Sequence, residues 1–396
     1  MITVAEAKQL LNQVVQPLVR TSIRLIDAHG YILAKDIFAS ADSPRFDQSA
    51  VDGYAVLDTD SFLGEFREYV IQGELKAGSS PVIRPRTCSA YRIFTGAPVP
   101  KGAYCVVMQE HTQVNGGIVS IPVTHLRGNA NIRRRGNHFL KGDLILTKGQ
   151  LLDAPSIGLL ASQGSPEVQV YPKPRITVIV TGDELVLPGT KAPLGSVYES
   201  NSFMLNAALQ QNGFSFPVIK RAPDKAFKLE NLLSRSLEDS DTLIITGGIS
   251  VGKYDLVRAT LDKLGVKEVF HKVSQKPGKP LYAGMKGKKL VFGLPGNPAA
   301  VMVCYLQYVL PSIRMQSGWS DVFFNPLRYP LAHVLQVKGD RDQFLRAKIS
   351  GDKVIVQASQ DSDNLHSFAT ANALVHIPSG IKSLVAGELV DVFPFK

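Results

Sequence analysis

The stretch from residue 175 to 316 limits the possible folds more than any other part of this chain. Ile176-Thr177-Val178-Ile179-Val180 is an unbroken apolar and β-branched run. Such a run suits a strand covered on both faces, because a half-exposed strand alternates apolar with polar residues. Thr242-Leu243-Ile244-Ile245-Thr246 and Lys289-Leu290-Val291-Phe292-Gly293 repeat the pattern, and Phe216-Pro217-Val218-Ile219 is a further candidate strand. Residues 201–212, 225–238 and 254–264 carry helical periodicity, and 298–315 reads as a long apolar helix. Buried strands alternating with helices predict a parallel sheet with helices on both faces, since parallel neighbours need long crossover connections.

The flanking regions read differently. Residues 3–15 place Val4, Ala7, Leu10, Leu11 and Val14 on one helical face, and Thr3 with Glu6 makes a capping box at its start. From about 45 to 140, short apolar runs such as 104–108 and 118–122 are broken by Gly and Pro, the pattern of a mostly β module. Residues 327–396 hold strand-like runs, for example 353–356 and 389–392, which predict a small β-barrel or sandwich. The expected fold class is therefore α/β multidomain. An N-terminal extended domain takes 1–44 and 141–174, and an inserted mostly β domain takes 45–140. A central parallel α/β sandwich takes 175–318, and a C-terminal small β-barrel takes 319–396.

Composition narrows the function. No stretch of about 18 apolar residues exists, so no membrane span is expected. The opening Met1-Ile2-Thr3-Val4-Ala5-Glu6 lacks the layout of a secretion signal, and a cytoplasmic location is expected. Cys88, Cys105 and Cys304 form no CxxC pair, so they read as three buried thiols rather than a zinc or disulfide framework. The net charge of +10 favours an anionic partner. No zinc finger, RNP-type strand or basic tail points to nucleic acid, and small anions fit equally well.

Several strings can carry chemistry. Val180-Thr181-Gly182-Asp183-Glu184-Leu185, and the stretch from Ile245 through Gly247 and Gly248 to Asp255, place glycines at strand ends. Ligands of open α/β sheets bind there, and glycines let backbone N–H groups approach an anion. Tight turns without a ligand are the plainer alternative. Gly247 to Lys253 has P-loop spacing, but Tyr254 stands where that loop needs Ser or Thr, which leaves a nucleotide phosphohydrolase only weakly supported. Lys276-Pro277-Gly278-Lys279-Pro280 is a stiff cationic loop that suits an oxyanion, or else a solvated turn. In Gly293-Leu294-Pro295-Gly296-Asn297-Pro298, Asn297 can cap a helix that starts at Pro298, which would explain the string with no ligand. The string from Arg45 to Val56 holds Asp47 and Asp52 beside small residues; local turn-making accounts for Asp47 and Gly53 but less well for the whole string, and Ile93 to Pro100 holds Thr95 at a strand end. Arg133-Arg134-Arg135-Gly136 reads as a solvated basic face. No HExxH, GxSxG or Cys/His pattern supports covalent catalysis, and metal-assisted phosphate chemistry fits the carboxylates and lysines better.

Taken in order, the strings at 47–56, 94–100, 132–136, 181–185, 246–255, 276–280 and 293–298, extended by 344–346 and 367–378, resemble the MoeA family of molybdopterin molybdenumtransferases. They are similar also to the E domain of gephyrin and of plant molybdenum insertases. The resemblance implies four subdomains and a homodimer with active sites between subunits. It implies molybdate and adenylylated molybdopterin as substrates, with molybdenum entering the dithiolene and AMP released with the help of Mg2+. It implies contact with the molybdopterin adenylyltransferase. Asp52, Glu184, Asp224 and Asp255 match the family's functional carboxylates, the last three as metal ligands. Thr95, Gly247, Gly248, Ser250, Pro295 and Pro298 match substrate-binding positions, and Lys276, Lys279, Arg346 and Ser362 match pterin-phosphate and molybdate contacts. One position departs: His138 stands where the family usually has an acidic residue, and Asp143 is the nearby carboxylate that can compensate. A non-catalytic scaffold of the same fold is the alternative function, and tungstate is an alternative oxyanion.

Overall fold

The computed structural model describes residues 1–58, 62–222, 226–249, 256–320, 322–323 and 326–396. The chain forms two units: Met1–Lys35 with Gly149–Ile157 and Glu167–Lys396, and Asp36–Lys148 with Gly158–Pro166.

The first unit is built on a six-stranded sheet. Its strands run in the spatial order Val218–Ala222, Ile176–Thr181, Thr242–Thr246, Lys289–Leu294, Tyr282–Lys286 and Lys267–His271. The first four are mutually parallel, and the last two are antiparallel to their neighbours. The expectation of a parallel sheet is corrected at that edge. Tyr282–Lys286 and Lys289–Leu294 are joined by a two-residue link with Gly287 at φ 60°, and so short a link can only return the chain antiparallel. Successive strand residues point to opposite faces, and each face has its own core. On one side Val178, Val180, Ile244 and Phe292 pack with Leu205 and Leu209 of helix Asn201–Gln211. On the other, Ile179, Ile245 and Val291 pack with Leu233 of helix Ala226–Asp239 and Leu261 of helix Leu256–Lys263.

The helix Val4–Val14 has the capping box read from the sequence, with the Glu6 N–H 3.1 Å from Thr3 Oγ1 and the Thr3 N–H 2.7 Å from Glu6 Oε2. Its Val4, Ala7 and Leu11 join the core of the central sheet. The apolar helix expected at 298–315 runs as Pro298–Cys304 and Leu310–Gln316 with a π-helical turn, Tyr305–Val309, between them. Pro311 has no N–H to offer the carbonyl four residues back, and a wider turn accommodates that loss.

The last part of this unit is a second sheet, ordered Gln275–Lys276, Asp342–Ser350, Ala373–Ile377, Leu389–Pro394 and Leu327–Pro330, with Lys353–Val356 also paired to Asp342–Ser350. A bridge from Leu331 to Val354, with the Ala332 N–H donating to Val354 O at 2.9 Å, brings the outer strands round onto each other. The core they enclose is Leu331, Leu345, Ala347, Val354, Val375 and Val392, apolar residues that alternate along their strands. Because Gln275–Lys276 is a strand of this second sheet, the lysine loop starts from a fixed edge.

The second unit holds a six-stranded sheet, ordered Cys105–Met108, Gly53–Leu57, Ser89–Ile93, Phe66–Leu75, Ile118–Pro122 and Gln113–Asn115. Tyr54, Val56, Val107 and Ile121 fill one side, and Ala55, Ile93 and Val106 the other. The basic run at 133–136 is more than a solvated face. Arg134 pairs with Asp47 and Arg135 with Asp42, so two arginines staple neighbouring turns. The expectation of three buried thiols is also corrected: Cys105 and Cys304 are buried, but Cys88 is exposed. Among the described residues no helix is long and apolar enough to cross a membrane.

Candidate active site

The carboxyl ends of the parallel strands open into a cleft of about 1170 Å³. Thr181 ends one strand and Gly182 and Glu184 follow it, Thr246 ends the next and Gly247 and Gly248 follow it, residues 295–298 follow a third, and all of them line the cleft. Gly247 has φ 83° and Gly248 φ 66°, a region that favours glycine. A methyl group on Gly247 would lie 2.7 Å from Thr181 O, and one on Gly248 2.8 Å from Val257 Cγ2. Packing alone therefore demands both glycines, and the cleft gains their accessible backbone. Glu184 is exposed on the cleft wall.

A smaller cavity of about 380 Å³ shares Pro280, Pro295 and Asn297 with this cleft. The lysine loop at 276–280 forms one wall, and Ser362 lies in another. Lys276 and Lys279 are exposed, and neither takes part in an ion pair among the described residues. The loop is held from behind by buried groups. Gln275 Nε2 donates to Pro277 O at 3.0 Å, and the Tyr308 hydroxyl donates to Gln275 Oε1. A methyl group on Gly278 would lie 2.6 Å from Cys304 Sγ. Burial pushes the Cys304 thiol well up, so this sulfur packs and does not react.

Asn297 does not cap its helix as the sequence predicts. It occupies the capping position with Pro298 after it, but its side chain makes no cap bond. Nδ2 donates instead to Ser362 Oγ at 2.7 Å, tying the strand-end turn to the C-terminal loop. Arg346 lies behind that loop with none of its surface exposed. Its Nε donates to Ser367 Oγ at 3.0 Å, and its Nη2 to Asp361 O at 2.9 Å and Ser359 O at 3.3 Å. Only Nη1 lacks a partner among the described residues.

In the second unit, Asp52 and Thr95 meet directly. The Thr95 N–H donates to Asp52 Oδ1 at 2.7 Å and the Thr95 hydroxyl to the same oxygen at 2.8 Å. These donors, the backbone N–H first, hold the Asp52 carboxyl below its usual range. A carboxyl depressed in the folded state contributes stability above its unfolded pKa, about 3.9, and loses it as pH falls through the folded value. Thr95→Val removes the hydroxyl donor, so the Asp52 titration followed by NMR should move up towards the ordinary value. An unmoved titration would show that the hydroxyl bond contributes nothing.

His138 is exposed, with Nδ1 3.3 Å from Ser43 Oγ. Asp143 accepts the Leu140 N–H at 2.8 Å and so closes its own turn. Asp224, Ser250 and Asp255 lie outside the described residues. Of the three expected metal ligands, the structure thus places Glu184 alone.

Three family models cover most of the chain: the MoeA N-terminal region (domain I and II) over 2–164, a probable molybdopterin binding domain over 177–315, and the MoeA C-terminal region (domain IV) over 328–395. The solved structure of a molybdopterin biosynthesis MoeA protein from Pyrococcus horikoshii is 29% identical, with a TM-score of 0.86 over 100% of this chain and 99% of that one. Molybdopterin molybdenumtransferase 2 of Mycobacterium tuberculosis is 32% identical over 99% of both chains. The chain belongs to the molybdopterin molybdenumtransferase family. A family member from Staphylococcus epidermidis is likewise 32% identical, over 99% of this chain and 95% of its own.

For this member of the molybdopterin molybdenumtransferase family, the structure adds cleft residues that sequence reasoning missed. Glu199 is buried and accepts the Ser202 N–H at 2.8 Å and its hydroxyl at 2.5 Å. Asn201 donates from Nδ2 to Gly296 O at 2.8 Å, joining the helix start to the 295–298 turn. Both line the cleft, as does Asp363. The available signal was a polar Glu-Ser-Asn string before a periodic helix, which reads as ordinary capping.

Proposed function

We propose that this chain inserts molybdenum from molybdate into adenylylated molybdopterin and releases AMP. The observation that carries this reading is the joining of two cavities of unlike character: a large strand-end cleft rimmed by glycine turns, and a small pocket walled by Lys276 and Lys279. The cleft suits the nucleotide and its phosphates, because the backbone around Gly247 and Gly248 is open to a ligand. The pocket suits a tetrahedral oxyanion, because ammonium groups supply charge and donors together. Ser362, held by Asn297, offers a further hydroxyl there, and Pro295 and Pro298 stiffen the wall between the two spaces.

Mg2+ belongs to the same proposal, with Glu184, Asp224 and Asp255 as its ligands. The carboxylate of Glu184 on the cleft wall is the kind of hard oxygen donor that this ion takes. A bound Mg2+ would neutralise charge on the phosphate link while that link is cut. Asp52, whose carboxyl the Thr95 donors hold below its usual range, is assigned a functional role in the second unit. Assembly as a homodimer, contact with the molybdopterin adenylyltransferase, a cytoplasmic location and the four-part division of the chain are part of this reading. The scaffold alternative draws on His138 and on Asp143, whose carboxylate is already engaged.

The test supplies adenylylated molybdopterin, molybdate and Mg2+ to the purified protein and follows AMP. The expected result is release that depends on molybdate. Lys279→Ala should raise the molybdate needed for half-maximal release by about tenfold, the scale of one lost charge-assisted contact. Tight binding of the adenylylated pterin without release would support the scaffold. Absence of binding would remove the functional reading altogether.

A further inference from the structure

We propose that Arg341 is a third oxyanion-binding group of the small pocket, beside Lys276 and Lys279. This rests on the reading that the pocket holds molybdate. Arg341 lines the cavity together with both lysines. Its Nη1 donates to the carbonyl of Gln275 at 3.1 Å, one residue before Lys276. Gln275 is wholly buried and its side chain is fixed by Pro277 O and the Tyr308 hydroxyl. The guanidinium and the lysine loop therefore share one anchor.

Arg341 has no carboxylate partner among the described ion pairs. Asp342, next in the chain, is taken up by His376 Nε2 at 3.2 Å and the Ser379 N–H at 2.9 Å. Arg346 holds a separate position, behind the loop, with its Nε and Nη2 committed to Ser367, Ser359 and Asp361. The pocket has one carboxylate, Asp361, whose Oδ2 accepts the Ser359 hydroxyl at 3.4 Å. Three cations against one carboxylate leave two net positive charges, the complement of a dianion such as molybdate. A guanidinium also presents parallel donors to two oxygens of one tetrahedron, which an ammonium does not.

The experiment measures molybdate binding to the full-length protein by calorimetry, with sulfate as competitor. Arg341→Gln removes the charge, and its amide nitrogen ends two bonds short of the position that Nη1 holds against the Gln275 carbonyl. It should weaken molybdate about tenfold, equivalent to about 1.4 kcal/mol, at an unchanged melting temperature. Arg341→Lys should recover part of the loss. If Arg341→Gln binds like the parent while Lys279→Ala binds weakly, the assignment of Arg341 is wrong and the pocket reading stands. If Lys279→Ala also binds like the parent, the pocket reading fails and takes the assignment with it. A loss that tracks a lowered melting temperature in Arg341→Gln, and that Arg341→Lys does not relieve, would mark a structural role and overturn the proposal.

Discussion

Gly53→Ala should disrupt the sheet of the second unit, at a cost of about 4 kcal/mol or more. The new methyl carbon would lie 1.9 Å from Val107 O, 2.8 Å from Val107 C and 3.0 Å from Met108 Cα. All three are backbone atoms of the paired strand, so no side-chain rotation relieves the clash. Gly53 faces Met108 on one side and Ile93 on the other, and the strand cannot move from one neighbour without pressing the other. Shifting it would also drag Tyr54, Ala55 and Val56 out of the cores on both faces. Hydrogen exchange should report the change as lost protection across Gly53–Leu57 and Cys105–Met108. A variant with parental protection and an unchanged denaturation midpoint would show that the strands can part cheaply. The same region carries Asp52 and Thr95, so the variant should also release their pairing.

Local turn-making is one reading of Gly53 that the sequence leaves open, and the structure puts the residue in a strand instead, an ambiguity with a physical source. Both a turn and a close strand approach demand glycine, and one sequence does not distinguish them. Where a single cause dominates, the sequence is legible. The strands Ile176–Thr181 and Thr242–Thr246 are buried on both faces, which leaves unbroken apolar runs. The strand expected from Phe216 instead runs Val218–Ala222, because it is a sheet edge, where exposed Val218 and Ile219 and the charged Lys220 and Arg221 are tolerated. The glycine turns and the lysine loop lie on the cleft and the pocket, as strand-end position and charge imply. Asn297 is harder to read, since its capping position is visible in the sequence but its bond to Ser362, 65 residues away, is not. Glu199 and Asn201 were hidden for the same reason: their polar strings look local, whereas Asn201 reaches Gly296 across the cleft rim.

Arg346 gives the sharpest separation between a contact residue and a positioning residue. Arg346→Met should lower stability by about 2–4 kcal/mol, because it strips partners from buried acceptors while filling a similar volume. The carbonyls of Ser359 and Asp361 would lose the guanidinium that gathers them, and Ser367 would lose its donor. Ser362 follows directly, so its hydroxyl would no longer be fixed against Asn297. Arg346→Lys should not restore the parent, since one ammonium cannot span acceptors that a planar fork reaches on two sides. Denaturation of the ligand-free protein is the deciding measurement, because a residue that acts only by touching molybdate leaves that curve unchanged. If Arg346→Met unfolds at the parental midpoint and yet fails to bind molybdate, the remaining donor Nη1 is the group that matters, and Arg346 is a contact residue. If stability falls, and molybdate binding falls with it, the guanidinium works through the loop that it holds.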